Sequence, residues 1–271
     1  MEKSVYTSAS DLKLAMCNFI KNIDRLKQFA IENEFAGIDW SFNLAELPHT
    51  PAEESRWVKK IADLQPLEVR FHCPFDEVDL GHENPDRVGE AMELFRRIIR
   101  LVSKADGKYL TLHIGLGRDT TRVLSWEKTI GNLRRIVQYG ADRTITVCLE
   151  NLAWGWTSKP NLFEKLIRRT GAGVTFDIGH AHCCEAVRSQ QFGEEDFVTP
   201  HAERVYNAHL YHTEISGVGH LPVKHLKDVR ARLDALIEIG CRWWVIEIRE
   251  FEGLLQTKRV VDRYLIRQAG R

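Results

Sequence analysis

Apolar residues along this chain fall into two alternating rhythms. Short runs with every second residue apolar or β-branched are separated by longer stretches in which apolar residues recur every three or four positions. That alternation predicts repeated strand–helix units around a parallel sheet. Eight strands can be placed, at residues 5–9, 35–40, 67–73, 109–115, 145–151, 173–178, 205–212 and 243–249. Between them Phe19, Ile23, Leu26 and Ala30 form one helical stripe, and Trp126, Ile130, Leu133 and Val137 another. The stripe Val88, Met92, Phe95, Ile99, Val102 ends before Gly107, and Leu226, Val229, Leu233, Leu236 before Gly240, each glycine a suitable helix stop. Eight such units predict an α/β fold closed into a (β/α)8 TIM barrel. No Gly-x-Gly-x-x-Gly follows the first strand to favour an open doubly wound sheet.

Side chains alternate across a strand, so the apolar phase identifies the face turned to the outer helices. Val69 and Phe71 oppose Arg70 and His72; Leu110 and Leu112 oppose Thr111 and His113; Val147 and Leu149 oppose Cys148 and Glu150. Val174 and Phe176 oppose Thr175 and Asp177, Ala208 and Leu210 oppose Asn207 and His209, and Ile246 and Ile248 oppose Val245 and Glu247. His72, His113, Glu150, Asp177, His209 and Glu247 should therefore point into the barrel mouth from late in six strands, at the C-terminal face where barrel enzymes work. Any one of them could be a buried polar group satisfied by a neighbour. Three carboxylates and three imidazoles together would cost several kcal/mol per unpaired charge, roughly, unless a cation compensates them. Arg70 is the one evident inward positive charge. A divalent metal is the simpler compensation, one or two per chain, and mixed nitrogen and oxygen ligands suit zinc, manganese, iron or cobalt.

Composition narrows the partners. The 271 residues match the roughly 250 of one barrel, and no Pro- or Gly-rich linker divides them, so a single domain over 1–271 is expected. Lys plus Arg and Asp plus Glu are 38 each, which argues against a nucleic-acid or membrane partner while leaving a local basic patch open. No signal-like or membrane-spanning run is present, and the six cysteines form no Cys-x-x-Cys pair, so a cytoplasmic protein with reduced thiols is expected. A homo-oligomer remains open.

Leu-Glu-Asn-Leu at 149–152, Phe-Asp-Ile-Gly-His-Ala-His at 176–182, Ala-His-Leu-Tyr-His at 208–212, His-Leu-Pro at 220–222 and Ile-Glu-Ile at 246–248 resemble the xylose isomerase-like barrel superfamily, which includes sugar isomerases, epimerases and endonuclease IV. The resemblance implies a central metal site at Glu150, Asp177, His209 and Glu247, with the two Glu residues also moving protons. It further implies a second metal held by His72 and His113 beside Glu150, and His180 as a further ligand or substrate-binding group. Trinuclear endonucleases of the superfamily carry an Asp-x-His pair. Here Val218 stands two before His220, so a third metal at His180 and His220 would lack its carboxylate.

Several neighbouring residues are ambiguous. Trp154 and Trp156 could stack on a substrate or pack in the core; His182 reads as structural, Arg96, Arg97 and Arg100 as a solvated face, and a Cys183 or Cys184 thiolate ligand as a minor alternative.

On sequence grounds the first expectation is a metal-dependent isomerase or epimerase acting on a small sugar or other polyhydroxylated carbonyl substrate, with Glu150, Glu247 and His180 as catalytic residues. The alternative is a metal-dependent hydrolase, including cleavage of phosphodiesters at abasic DNA. A barrel that only binds a ligand for a partner protein is the third.

Overall fold

A computed structural model of the chain describes residues 11–75, 78–117 and 120–269. Eight strands close a parallel barrel: β1 (Lys13–Cys17), β2 (Gly37–Ser41), β3 (Glu68–His72), β4 (Tyr109–Leu112), β5 (Thr146–Glu150), β6 (Gly173–Asp177), β7 (Val205–Leu210) and β10 (Trp243–Ile246). The ring runs β1-β10-β7-β6-β5-β4-β3-β2. An antiparallel hairpin of β8 (Thr213–Ile215) and β9 (Gly219–Leu221) interrupts the repeat after β7.

The helices are α1 (Ile23–Glu32), α2 (Pro51–Ala62), α3 (Pro85–Lys104), α4 (Trp126–Ala141), α5 (Pro160–Thr170), the short α6 (Ile178–Cys183) and α7 (Glu185–Arg188), α8 (Arg230–Glu238) and α9 (Phe251–Ala269). Local chemistry sets their ends. Thr50, just before Pro51, and Glu53 in the first turn form a capping box at the start of α2, and Gly171, at φ 75°, stops α5 in the left-handed conformation.

Seven of the expected strands are present, each shorter by one to three residues. The expected strand at 5–9 lies outside the described residues, and the first staves of the barrel are instead β1 and β2, paired from Ala15↔Gly37 to Cys17↔Asp39. Glu247 and His113 fall one residue beyond their strands and still turn inward.

Arg70 does not serve the mouth of the barrel. Its guanidinium lies in a lower interior layer, 3.9 Å from the Tyr109 ring centre and 4.4 Å from that of Trp243, and donates to Tyr206 O at 2.8 Å and Asn207 Oδ1 at 2.6 Å. Above it Thr111 and Thr175 hydroxyls meet at 2.7 Å, with Asn207 donating to Thr175 at 3.0 Å. Arg70, Thr111, Thr175 and Asn207 thus satisfy one another in this lower layer, which leaves the charges above it to find compensation elsewhere.

Candidate metal centre

All six strand-end residues singled out above converge, and each is buried. They form two sets sharing Glu150: His72, His113 and Glu150, and Glu150, Asp177, His209 and Glu247, with one ligand atom per residue lying within 4.8 Å of the others. Glu150 Oε2 is 3.0 Å from His72 Nε2, 3.2 Å from His113 Nε2 and 3.3 Å from His209 Nδ1. His209 Nδ1 is also 3.2 Å from Glu247 Oε2.

These spacings fit ligands around a common ion. Donor atoms about 2.0–2.1 Å from a four-coordinate metal stand roughly 3.4 Å apart. Orphaned atoms point the same way: Asp177 Oδ2, His113 Nδ1, both ring nitrogens of His209 and the Tyr211 hydroxyl are buried without a hydrogen-bond partner among the described residues. The His72 Nδ1–H donates to Cys73 O at 2.9 Å, so its Nε2 lone pair faces the Glu150 carboxylate, a repulsive contact unless a proton or cation intervenes. The donor set therefore fits divalent metal ions.

A third candidate set stands beside these two. His180, Glu214 and His220 come together, with His180 Nε2 3.2 Å from Glu214 Oε2, so the carboxylate missing at Val218 is supplied from the facing strand of the hairpin. Glu214 pairs directly with His220 across β8 and β9. His180 lies in α6, where its amide bonds Asp177 Oδ1 at 2.7 Å, while its Nδ1 is 3.0 Å from Asn151 O and 3.4 Å from Asp177 Oδ2. The third set thus abuts the middle one. His220 Nδ1–H donates to Glu247 O at 2.9 Å, which leaves the Nε2 lone pair as the atom it can offer a metal.

Supporting residues fix these directions. Asn151 clamps Asp177 from both sides, donating to its carbonyl at 2.9 Å and accepting from its amide at 2.8 Å. The Tyr211 ring stacks on His220, centroids 3.8 Å apart and 3° from parallel. A Cβ on Gly179 would lie 2.0 Å from the Tyr211 ring, so only glycine seats it. Gly179→Ala is expected to lower stability by about 1–3 kcal/mol through overpacking, measured by denaturant unfolding; unchanged stability would show that Tyr211 moves freely.

The ambiguous residues sort themselves. Trp154 donates to Gly115 O and Leu116 O, at 3.0 and 2.9 Å, with its ring edge-on to His180, whereas Trp156 packs against Trp126. His182 pairs with Glu194 at 2.7 Å, away from the three sets. Burial raises the Cys183 and Cys184 thiols, so neither is a ready thiolate. Of the three arginines, Arg100 is exposed and paired with Glu93, while Arg96 lies over the Tyr139 ring. Sequence reading missed Glu214, Tyr211, the buried cation Arg232 and Asp39, a buried carboxyl on β2 raised by burial.

Electrostatics set a pH dependence. Burial alone would lower the His180 imidazole, but Asp177, Glu214 and Glu150 lift it from 6.5 to about 9. Burial pushes Asp177 up to about 6. Burial would raise Glu150, yet His209 and His113 hold it well below the usual range. His209, against its own burial, is raised well above 6.5 by Glu150 and Glu247.

A ligating imidazole is neutral and a ligating carboxylate ionised, so metal uptake near neutral pH should release protons and tighten as pH rises toward about 9. The stability His180 lends the metal-free fold is correspondingly complete below 6.5 and lost as pH rises through about 9. Calorimetry in buffers of differing ionisation enthalpy reads the released protons. Affinity that is flat from pH 6 to 9 would contradict this assignment.

Comparison with known proteins agrees with the architecture. The family model for the xylose isomerase-like TIM barrel matches residues 28–263. An uncharacterized protein of Methanocaldococcus jannaschii is 28% identical over 197 residues, covering 73% of this chain and 80% of its own. A D-tagatose 3-epimerase-like protein superposes with a TM-score of 0.72 at 17% identity, over 96% of this chain and 99% of that one. Endonuclease IV from Thermus thermophilus does so with a TM-score of 0.67 at 17% identity, over 95% and 100%. Likeness at such identity establishes the fold and leaves chemistry to the site.

Proposed function

Because this chain belongs to the xylose isomerase-like TIM barrel family and gathers three ligand sets at one barrel mouth, we propose that it is a metal-dependent hydrolase of phosphate esters. The observation that carries the reading is the third set, completed by Glu214. Proton transfer beside a carbonyl needs one metal and two flanking carboxylates, which the middle set alone supplies. It leaves His72, His113, His180, Glu214 and His220 without a task. On this reading the order in which the two chemistries stood on sequence grounds is reversed.

Charge favours a phosphoryl group. The three sets contain four carboxylates, so three divalent cations would leave a net positive centre suited to an anion. Cations held there would supply Lewis acidity and lower the pKa of water toward neutrality.

The chain's own groups do the rest. Hydrolysis forms one P–O bond to water and breaks another, so one proton leaves the water and one reaches the departing oxygen. The Asp177 carboxyl, its Oδ2 buried 3.4 Å from His180 Nδ1, would take the first. The Tyr211 hydroxyl, beside Asp177, is kept protonated by burial together with Asp177 and Glu247 and would donate the second. Glu150 holds the first and middle sets at a fixed separation, and Asn151 holds Asp177 and His180.

The test is hydrolysis of bis(4-nitrophenyl) phosphate and 4-nitrophenyl phosphate by metal-loaded protein in 18O water. Label is expected in the phosphate product. The epimerase reading, favoured by Glu150 and Glu247 flanking the middle set, predicts instead solvent deuterium at carbon in a ketose panel. That outcome, with no ester cleaved, would overturn the proposal.

A further inference from the structure

Beside the metal centre lies a cavity of about 630 Å³ that the three ligand sets do not use. Its walls come from the loops after β1, β2, β3 and β10 and from α2, and they include Lys21, Lys60 and Arg249. Among the described residues none of these cations has a carboxylate within ion-pair distance, and Glu46 is the sole acidic residue in the wall. Gathering like charges into one concavity without partners is unfavourable, and a bound anion would relieve it.

The cavity is built rather than incidental. Lys60 is half-buried, its Nζ 4.9 Å from the centre of the buried Trp40 ring. The Arg249 guanidinium sits 4.6 Å from the Phe75 ring centre. Asn18 ties the first loop to β2, donating to Ser41 O at 3.1 Å and accepting from its amide at 3.0 Å. Asn43 holds the second loop by accepting from Ala45 N at 3.0 Å.

Phe75 and Arg249 also connect the cavity to the chemistry. Both line a second cavity of about 480 Å³ that reaches His220 and Glu247. Phe75 also stacks on His72, ring centres 4.7 Å apart, and lies tilted against His113 at 5.5 Å. One molecule could therefore lie across this shared wall, with its reacting group at the metal centre and another part among the cations.

We infer that the Lys21, Lys60 and Arg249 cavity is an anion subsite that holds a second phosphate or carboxylate of a small substrate. The inference rests on the hydrolytic reading for the group at the metals and narrows the substrate to a molecule carrying two anionic groups. A cavity of this volume matches a metabolite-sized ligand, and the balanced overall charge speaks against a polymer backbone.

The experiment is calorimetric titration of 3-phosphoglycerate, glycerol 3-phosphate and glycerate into the full-length protein freed of metal, so that no cation at the ligand sets binds the probe. Binding is expected, weaker at high salt, and at least tenfold weaker in the Lys21→Met/Lys60→Met variant. Lys21→Met alone, at an exposed position, should weaken it in the same direction while leaving thermal unfolding unchanged. The two single-anion probes separate phosphate from carboxylate recognition.

No binding without metal, or binding indifferent to both lysines, would overturn the subsite and leave the metal centre untouched. A short DNA oligonucleotide that binds more tightly than every small probe, with the same lysine dependence, would overturn the small-substrate assignment. Lysine-dependent binding in a protein that cleaves no phosphate ester would uphold the subsite and count against the hydrolytic reading alone.

Discussion

Glu150→Gln should abolish function more completely than any other single change at the mouth of the barrel. Its carboxylate belongs to two of the three ligand sets, and one oxygen, Oε2, stands 3.0 to 3.3 Å from three imidazoles. An amide keeps the volume and loses the charge. Two metal positions weaken together, and turnover is expected to fall at least about 1000-fold, roughly 4 kcal/mol of transition-state stabilisation. His72→Ala removes one donor from one set and should cost less metal. The metal-free Glu150 variant should also be less stable, since breaking a buried charge pair costs about 3–5 kcal/mol. Metal analysis of both variants decides the order. A Glu150 variant with wild-type metal content would remove its bridging role.

Glu214→Ala carries the second large effect, and it separates the third set from the other two. The variant should lose one equivalent of metal, keep the rest, and turn over about 100-fold more slowly, roughly 2.7 kcal/mol. His180→Ala should behave alike, keeping the metal of the middle set. The hairpin offers a direct rescue. Val218 precedes His220 by two residues and is 70% exposed, so an acidic side chain there has room to approach the same imidazole. Glu214→Ala/Val218→Asp is therefore expected to regain part of the lost metal and rate. Loss of activity with all metal retained would show that Glu214 binds substrate instead.

The alternation of apolar and polar residues was enough to turn six polar side chains inward from β3 to β10, because a side chain's face follows from the pleat alone. Glu150, Asp177, His209 and Glu247 lie where that phase puts them. The same rule applied to Gly37-Ile38-Asp39-Trp40-Ser41 turns Asp39 inward, so its burial too is legible in the sequence.

Glu214 was different. It lies on no barrel strand, and its meeting with His220 depends on a two-stranded hairpin turning at Ser216 and Gly217. A Ser-Gly step between two short β-prone runs is a weak hairpin signal, and recognising it would have set Glu214 opposite His220. The first strand was misplaced for a related reason. Residues 13–17 begin with a lysine and continue Leu-Ala-Met-Cys, a composition that propensity does not separate from helix, and only barrel closure against β2 and β10 identifies it. Arg70 was given the right face and the wrong layer, because phase tells inside from outside and says nothing about height along the axis.

Metal stoichiometry tests the account most directly. The protein should be purified without added metal, then saturated with zinc or manganese and freed of excess, and its bound metal counted. Three equivalents per chain are expected, falling to two in Glu214→Ala. A single equivalent after saturation, unchanged by Glu214→Ala, would contradict the three-set centre and the hydrolytic chemistry built on it.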